Sequence, residues 1–229
     1  MVRCLEKGVY ESLIDGIKSK GKVRVKESQI GKGAFQVAVK NYKVVGGLSE
    51  AIHRSLIGDE FTVRGIMGKS LWLAKHGNHV AFVSGTGVLV FLDLVALISK
   101  HHIGHLSNSH SIPIFSEGST FKLTLYASFP SDSAALGLDL LRTLHASNPS
   151  NFELHLRISS QTRSPHAEGK ASTRWDSGFI RKQLLSSSVV DDLAKVYVCG
   201  PPNMTEVFER TLGEMILAKE IRREQIEIM

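Results

Sequence analysis

From His79 to its last residue the chain repeats one pattern. A short apolar, β-branched run is followed by a longer segment with helical periodicity. "HVAFVSG" leads into "VLVFLDLVALISKHH", and "FKLTLYAS" into "SDSAALGLDLLRTLHAS". "NFELHLRIS" leads into "WDSGFIRKQLLSSS", "KVYVCG" into "PNMTEVFERTLGEMILAK", and "QIEIM" closes the series. Strand–helix alternation of this kind predicts a parallel sheet with helices on both faces. Such sheets bind ligands outside the carboxyl ends of the strands, where the strand order reverses. The loops that follow strands are therefore where a site is expected.

Two of those loops have suitable chemistry. "SGTG" (84–87) follows the first strand and opens the first helix, and "CGPP" (199–202) follows the fourth strand. Glycine lets the backbone approach a ligand closely, and a helix start offers unpaired N–H groups to an anion. The first loop is not the G-x-G-x-x-G fingerprint, because Leu89 and Val90 stand where a further glycine is needed. The lone thiol of Cys199 at a strand mouth, beside Gly200, Pro201 and Pro202, has two readings. It is a buried strand ending in a stiff turn, or backbone and thiol lying against a flat ligand.

Before His79 the pattern differs. "FQVAVKNY" and "EFTVRGIMG" read as strands. Between them, "GGLSEAIHRSLIGD" reads as a Gly46-Gly47 turn and a short helix capped by Ser49, with Ile52 and Leu56 on one face. These are the elements of a barrel-like module. Ahead of it, "VYESLIDGIKSKG" has the spacing of an amphipathic helix. The expected division is therefore 1–77 and 78–229, with 160–176 an exposed polar loop.

Composition narrows the classes. Hydrophobic content of 42% and charged content of 22% suit a soluble globular protein, and no apolar run reaches membrane length. Cys4 and Cys199 have neither disulfide-framework nor metal spacing, which points to a reducing compartment. The expected location is cytoplasmic or facing the cytoplasm, with a mitochondrial one as the alternative. Residues 1–79 hold 14 Lys+Arg against 7 Asp+Glu, a surplus of +7, while residues 80–229 hold 14 against 15. That surplus suits an acidic protein partner or an anionic surface. The basic residues are scattered without interleaved aromatics, so nucleic acid is not the expected partner. His101, His102, His105 and His110 read as a solvated loop rather than a metal site, and no metal is expected.

The order GGLS, then strand-GTG-helix, then strand-CGPP-helix resembles the ferredoxin–NADP reductase superfamily. Within it the chain is most similar to the NADH–cytochrome b5 reductase branch, from about Phe35 to Met229. The resemblance implies a fold class of α/β plus β-barrel: a truncated flavin-binding barrel followed by a parallel-sheet nucleotide-binding domain. It implies the cofactors FAD and NADH, NADPH being less expected because the loop after "LYAS" holds Asp132 and no basic residue. "VKNY" implies Lys40 at the nicotinamide nucleotide and Tyr42 at the flavin. Gly46, Gly47, Leu48 and Ser49 would hold the FAD pyrophosphate. Gly85, Thr86, Gly87, Asp132, Gly200, Pro201, Pro202 and Met204 would line the dinucleotide. Cys199 is the implied catalytic residue at the nicotinamide ring, and Arg24 stands for the family's flavin arginine.

The pattern also departs from the family's. Lys26 occupies the place of the tyrosine that stacks on the flavin, and Val88-Leu89-Val90 replace a threonine and proline after GTG. Too few residues precede Arg24 for the first barrel strands, so either another chain completes the barrel, or the form is truncated, or the flavin module has degenerated. The expected function is hydride transfer from NADH to FAD, then single electrons to a haem or iron–sulfur acceptor, an acidic protein such as a cytochrome. The alternative is an accessory or structural subunit that keeps the fold with weak or lost FAD binding.

Overall fold

A computed structural model describes residues 7–21, 23–24, 39, 44–62, 71–104, 112–159, 175–186, 189 and 191–229. The chain divides into two compact units. One comprises residues 1–28 with 73–229, and the other residues 29–72.

The larger unit is built on five strands: β1 (Asn78–Ser84), β2 (Lys122–Phe129), β3 (Phe152–Ile158), β4 (Leu193–Cys199) and β5 (Ile226–Ile228). Their order is β3-β2-β1-β4-β5 and every pairing is parallel. β1 is central, and its Val80, Ala81, Phe82 and Val83 are all buried, as a strand covered on both faces requires. Side chains alternate across the sheet. Val80, Phe82, Tyr126, Val196 and Val198 pack on one face against α5 (Ser177–Leu184) and α6 (Pro202–Leu217). On the other face Phe91 of α3 (Leu89–His102) meets Tyr197 edge-on at 5.6 Å. α4 (Leu138–Ser147) buries Leu140, Leu141 and Leu144. Among the described residues no helix is long and apolar enough to cross a membrane.

Helix starts follow local chemistry. The Asp176 carboxylate accepts the Phe179 N–H at 2.8 Å and caps α5. Pro202 occupies the first turn of α6, where a missing N–H costs nothing. The segment expected to be helical from Ser131 starts late. A single 3-10 turn spans Asp132–Ala134, and Gly137, at φ +70°, turns the chain into α4. Gly137 also lies so close to Leu92 that a Cβ would meet Leu92 Cδ2 at 2.8 Å.

The compact units differ from the division expected at 77/78. α1 (Lys7–Lys18) is amphipathic as expected, but its buried residues Val9, Leu13 and Ile17 place it in the α/β unit, against α3 and α4. The i, i+4, i+8 spacing supplies an apolar stripe that needs a covered surface, and α3 and α4 provide it.

In the smaller unit the described regular element is α2 (Leu48–Arg54), whose residues are all at least partly exposed. His53 Nε2 lies 2.7 Å from the Val39 carbonyl. The residues that cap α2 differ from expectation. Gly47 is the N-cap, and Ser49 lies inside the first turn without a capping bond. Leu56 lies beyond the helix and is 78% exposed. The strand expected at 35–42 falls almost wholly outside the described residues. That expected at 60–68 is irregular over 60–62 and otherwise outside them.

Candidate functional site: a crevice at the strand carboxyl ends

The strand order reverses between β1 and β4. β1 sends the chain toward β2 and β3, whereas β4 sends it toward β5. Val83 pairs with Cys199, so the two strands end level and their following loops emerge side by side. The loop after β1 is a 3-10 turn, Gly85–Val88, that runs straight into α3.

The two glycines of that turn do different work. Gly85 sits at φ +56° with nothing within 4 Å of a Cβ added there, so its backbone faces open space. Gly87 is closed in. A Cβ there would collide with the Cys199 carbonyl oxygen and stand 3.1 Å from Cys199 Sγ. Gly87 thus seats one loop on the other, and a side chain there would wedge them apart. Gly200 is confined too, with Ser84 Cβ 3.3 Å and Met204 Sδ 2.5 Å from the position of an added Cβ. Thr86 is half-buried between the two glycines, while Pro201 and Pro202 are exposed.

Cys199 is a free, half-buried thiol. Burial pushes its pKa above the ordinary range, which leaves a neutral thiol at neutral pH. It is suited to packing rather than to nucleophilic attack.

Asp132 lies past the end of β2 and pairs with Arg142 of α4 at 3.3 Å. Sequence reading missed this. The loop itself has no basic residue, but the first turns of α4 bring one to it. Asp132 and Arg142 line a groove of about 590 Å³, which Tyr10 and Ile14 of α1 also line. A second missed feature is a row of rings across three strands. Phe82 stacks on Tyr126 at 4.8 Å, and Tyr126 on His155 at 4.5 Å. Trp175 meets Phe82 edge-on at 5.8 Å. The in-register pairs Phe82–Tyr126 and Tyr126–His155 produce the row, and such registers are not readable from one strand alone.

The other expected residues fall elsewhere. Lys40 and Tyr42 lie outside the described residues. Arg24 is exposed and belongs to the α/β unit, not to residues 29–72. His101 stacks on Phe115 at 4.2 Å, whereas His105 and His110 are outside the described residues.

At the Gly46-Gly47 turn, Gly46 has φ +76°. Its N–H donates to Glu50 Oε2 at 2.9 Å, and the Gly47 N–H donates to the Val44 carbonyl at 2.9 Å. The two glycine donors that would face a pyrophosphate are therefore engaged within the turn, one of them by a carboxylate. At Gly85 a bare backbone faces open space, which leaves room for a ligand there. The Gly46-Gly47 turn, with its donors engaged, does not fit a pyrophosphate.

No family model matches the chain. It is 25% identical over 177 residues to NADH-cytochrome b5 reductase 2 of Yarrowia lipolytica, covering 75% of this chain and 52% of that protein. The chain thus spans about half the length of the curated relatives it matches. Among solved structures it resembles the cytochrome b5 reductase domain of Ulva prolifera nitrate reductase, with a TM-score of 0.52 and 16% identity. That match covers 80% of this chain and 64% of the other. It also resembles a ferredoxin-NADP+ reductase mutant from Plasmodium falciparum with 2'P-AMP, with a TM-score of 0.54 and 17% identity, covering 83% and 69%. The chain is thus similar in fold to these reductases, and its curated relatives are named NADH-cytochrome b5 reductase 2.

Proposed function

We propose that the chain is an NAD(P)H-dependent flavin oxidoreductase of the cytochrome b5 reductase kind. The observation that carries this reading is the crevice at the β1/β4 reversal, where Gly87 seats against Cys199 and Gly85 stays open. In this reading the backbone of 85–87 receives the dinucleotide's phosphates. Gly200 and the Cys199 thiol form the floor under the nicotinamide ring, and Met204 closes the far side. Cys199 excludes water and aims the ring, as its neutral state suits. When bound, the nicotinamide supplies a hydride and FAD divides the electron pair for a one-electron acceptor.

NADH is the preferred donor in this proposal. The curated relatives are named for it, and Asp132 places a carboxylate past β2. Its pairing with Arg142 softens the discrimination. Residues 29–72 are read as what remains of a flavin-binding barrel, with Lys40 at the nicotinamide nucleotide, Tyr42 at the flavin and a partner chain supplying further strands. The acceptor is an acidic haem or iron–sulfur protein, such as a cytochrome, in a compartment facing the cytoplasm.

Anaerobic addition of NADH to the FAD-loaded chain should bleach the flavin absorbance. A second reading, an accessory subunit with weak FAD binding, is favoured by the engaged donors of the Gly46-Gly47 turn. Saturable NADH binding without any bleaching would select it.

A further inference from the structure

We infer that the groove between α1 and α4 is a binding site for a small amphipathic cation, an amine or guanidine carried on an apolar body. The site is separate from the β1/β4 crevice and does not rest on the flavin reading.

Two helices build the groove. On α1, Val9, Leu13 and Ile17 are buried in the packing against α3 and α4. Tyr10 and Ile14, one turn apart, and Glu11 share the flanking face and line one wall. The opposite wall runs from Asp132 into the first turns of α4. The volume of about 590 Å³ lies within the range of roughly 300–1,000 Å³ that holds small molecules. Leu138 and Leu140, both buried, give the groove an apolar base, and half-buried Ile14 and Ala135 extend it.

The charged lining selects the ligand. Glu11, Asp132 and Asp139 stand against one guanidinium, Arg142, a formal charge of −2. The whole chain carries +6, so the groove opposes the protein's own charge. Arg142 Nη2 is already engaged, 3.3 Å from Asp132 Oδ1, and is not offered to an anion. A phosphate or carboxylate would be repelled here, whereas a cation would be drawn in. All four charged groups are exposed and the apolar residues lie deeper, so the ligand's charge belongs at the rim and its body below. The Tyr10 ring suits either part, as an apolar wall or as a partner to the cation. An acid at a helix start also stabilises the helix, and Asp139 stands in the first turn of α4. That role accounts for its charge, but not for an apolar volume of ligand size beside it.

The experiment is an amide NMR titration of the labelled full chain with two cations, tryptamine and hexylamine. Tryptophol, the neutral alcohol counterpart of tryptamine, is the control. The variant is the double substitution Glu11→Gln/Asp139→Asn, which removes two exposed charges and leaves Asp132 in place. Circular dichroism verifies its helix content. The expected result is saturable shifts at Tyr10, Glu11, Ile14, Leu138 and Arg142 with at least one amine. If tryptamine is that amine, tryptophol should bind about tenfold more weakly. The double variant should lose about tenfold in amine affinity and keep its NADH affinity. No saturable shifts at the groove with either amine overturn the site. Equal affinity for tryptamine and tryptophol, or wild-type amine affinity in the double variant, overturns its selection of a cation. Loss of NADH binding in the double variant overturns its separation from the nucleotide crevice.

Discussion

The two units of this chain solve different problems with similar local pieces. In residues 73–229 a glycine turn leads from a buried strand into α3, and the turn is locked by tertiary packing, Gly87 on Cys199. In residues 29–72 a glycine turn leads into α2, and it is locked by its own side chain, Glu50 on Gly46. The first leaves open backbone at Gly85, whereas the second engages both of its glycine amides. A glycine-rich turn before a helix is therefore not a phosphate site by sequence alone. What matters is which atoms already hold its donors.

The comparison makes its largest prediction about stability. Phe82→Ala removes a fully buried ring that touches Tyr126, Trp175 and Phe208. It should cost about 3–5 kcal/mol in urea denaturation of the α/β unit. Leu56→Ala in the other unit should change stability by less than about 0.5 kcal/mol, because that side chain is largely exposed. A cost at Leu56 approaching that at Phe82 would break the contrast.

The second prediction concerns acid. His79 is fully buried on β1, and its Nε2 accepts the Ala74 N–H at 3.0 Å. The ring proton therefore sits on Nδ1, which donates to the Gly77 carbonyl at 3.3 Å. Burial, aided by the charge of Lys195 and opposed by the Gly77 bond, lowers its pKa from 6.5 to about 4. Below the ordinary value the unfolded chain takes up a proton that the folded chain refuses. Stability from this group is therefore full above about pH 6.5. It falls as pH drops toward about 4, by about 3 kcal/mol in all. Urea midpoints across that range should show this loss, and His79→Gln should flatten it. An equally steep profile in the variant would remove His79 as the cause.

Third, Gly87→Ala should cost about 1–3 kcal/mol through the collision with the Cys199 backbone. It should also weaken NADH binding about tenfold by spreading the two loops, as read by calorimetry. Wild-type affinity in the variant would show that the loop contact is not part of the site. Smallest of all, Asp132→Asn should leave stability within about 1 kcal/mol, since the pair is half exposed. It should improve NADPH binding a few-fold by freeing Arg142. Unchanged nucleotide preference would place the adenosine end elsewhere.

Much of the α/β unit was legible because strands and helices there announce themselves by different apolar periods. The two site loops followed from the topology, since β1 and β4 flank the reversal. Long-range pairing was not legible. Nothing in "VYESLIDGIKSKG" names α3 and α4 as its partners, and nothing in "FPSD" announces Arg142. The late start of α4 came from Gly137, whose φ of +70° is a tertiary choice made against Leu92. Ser49 looked like a cap by residue type. Gly47 took that position instead, and Glu50 bonded the residue before it.

The most direct test of the account is an amide NMR titration of the isotopically labelled chain with NADH. It reads both glycine turns in one experiment. The account predicts the largest shifts at Gly85, Thr86, Gly200 and Met204, with Gly46 to Ser49 unmoved. Saturable binding with shifts centred on Gly46 to Ser49, or no shifts at the β1/β4 loops at saturating NADH, would contradict it.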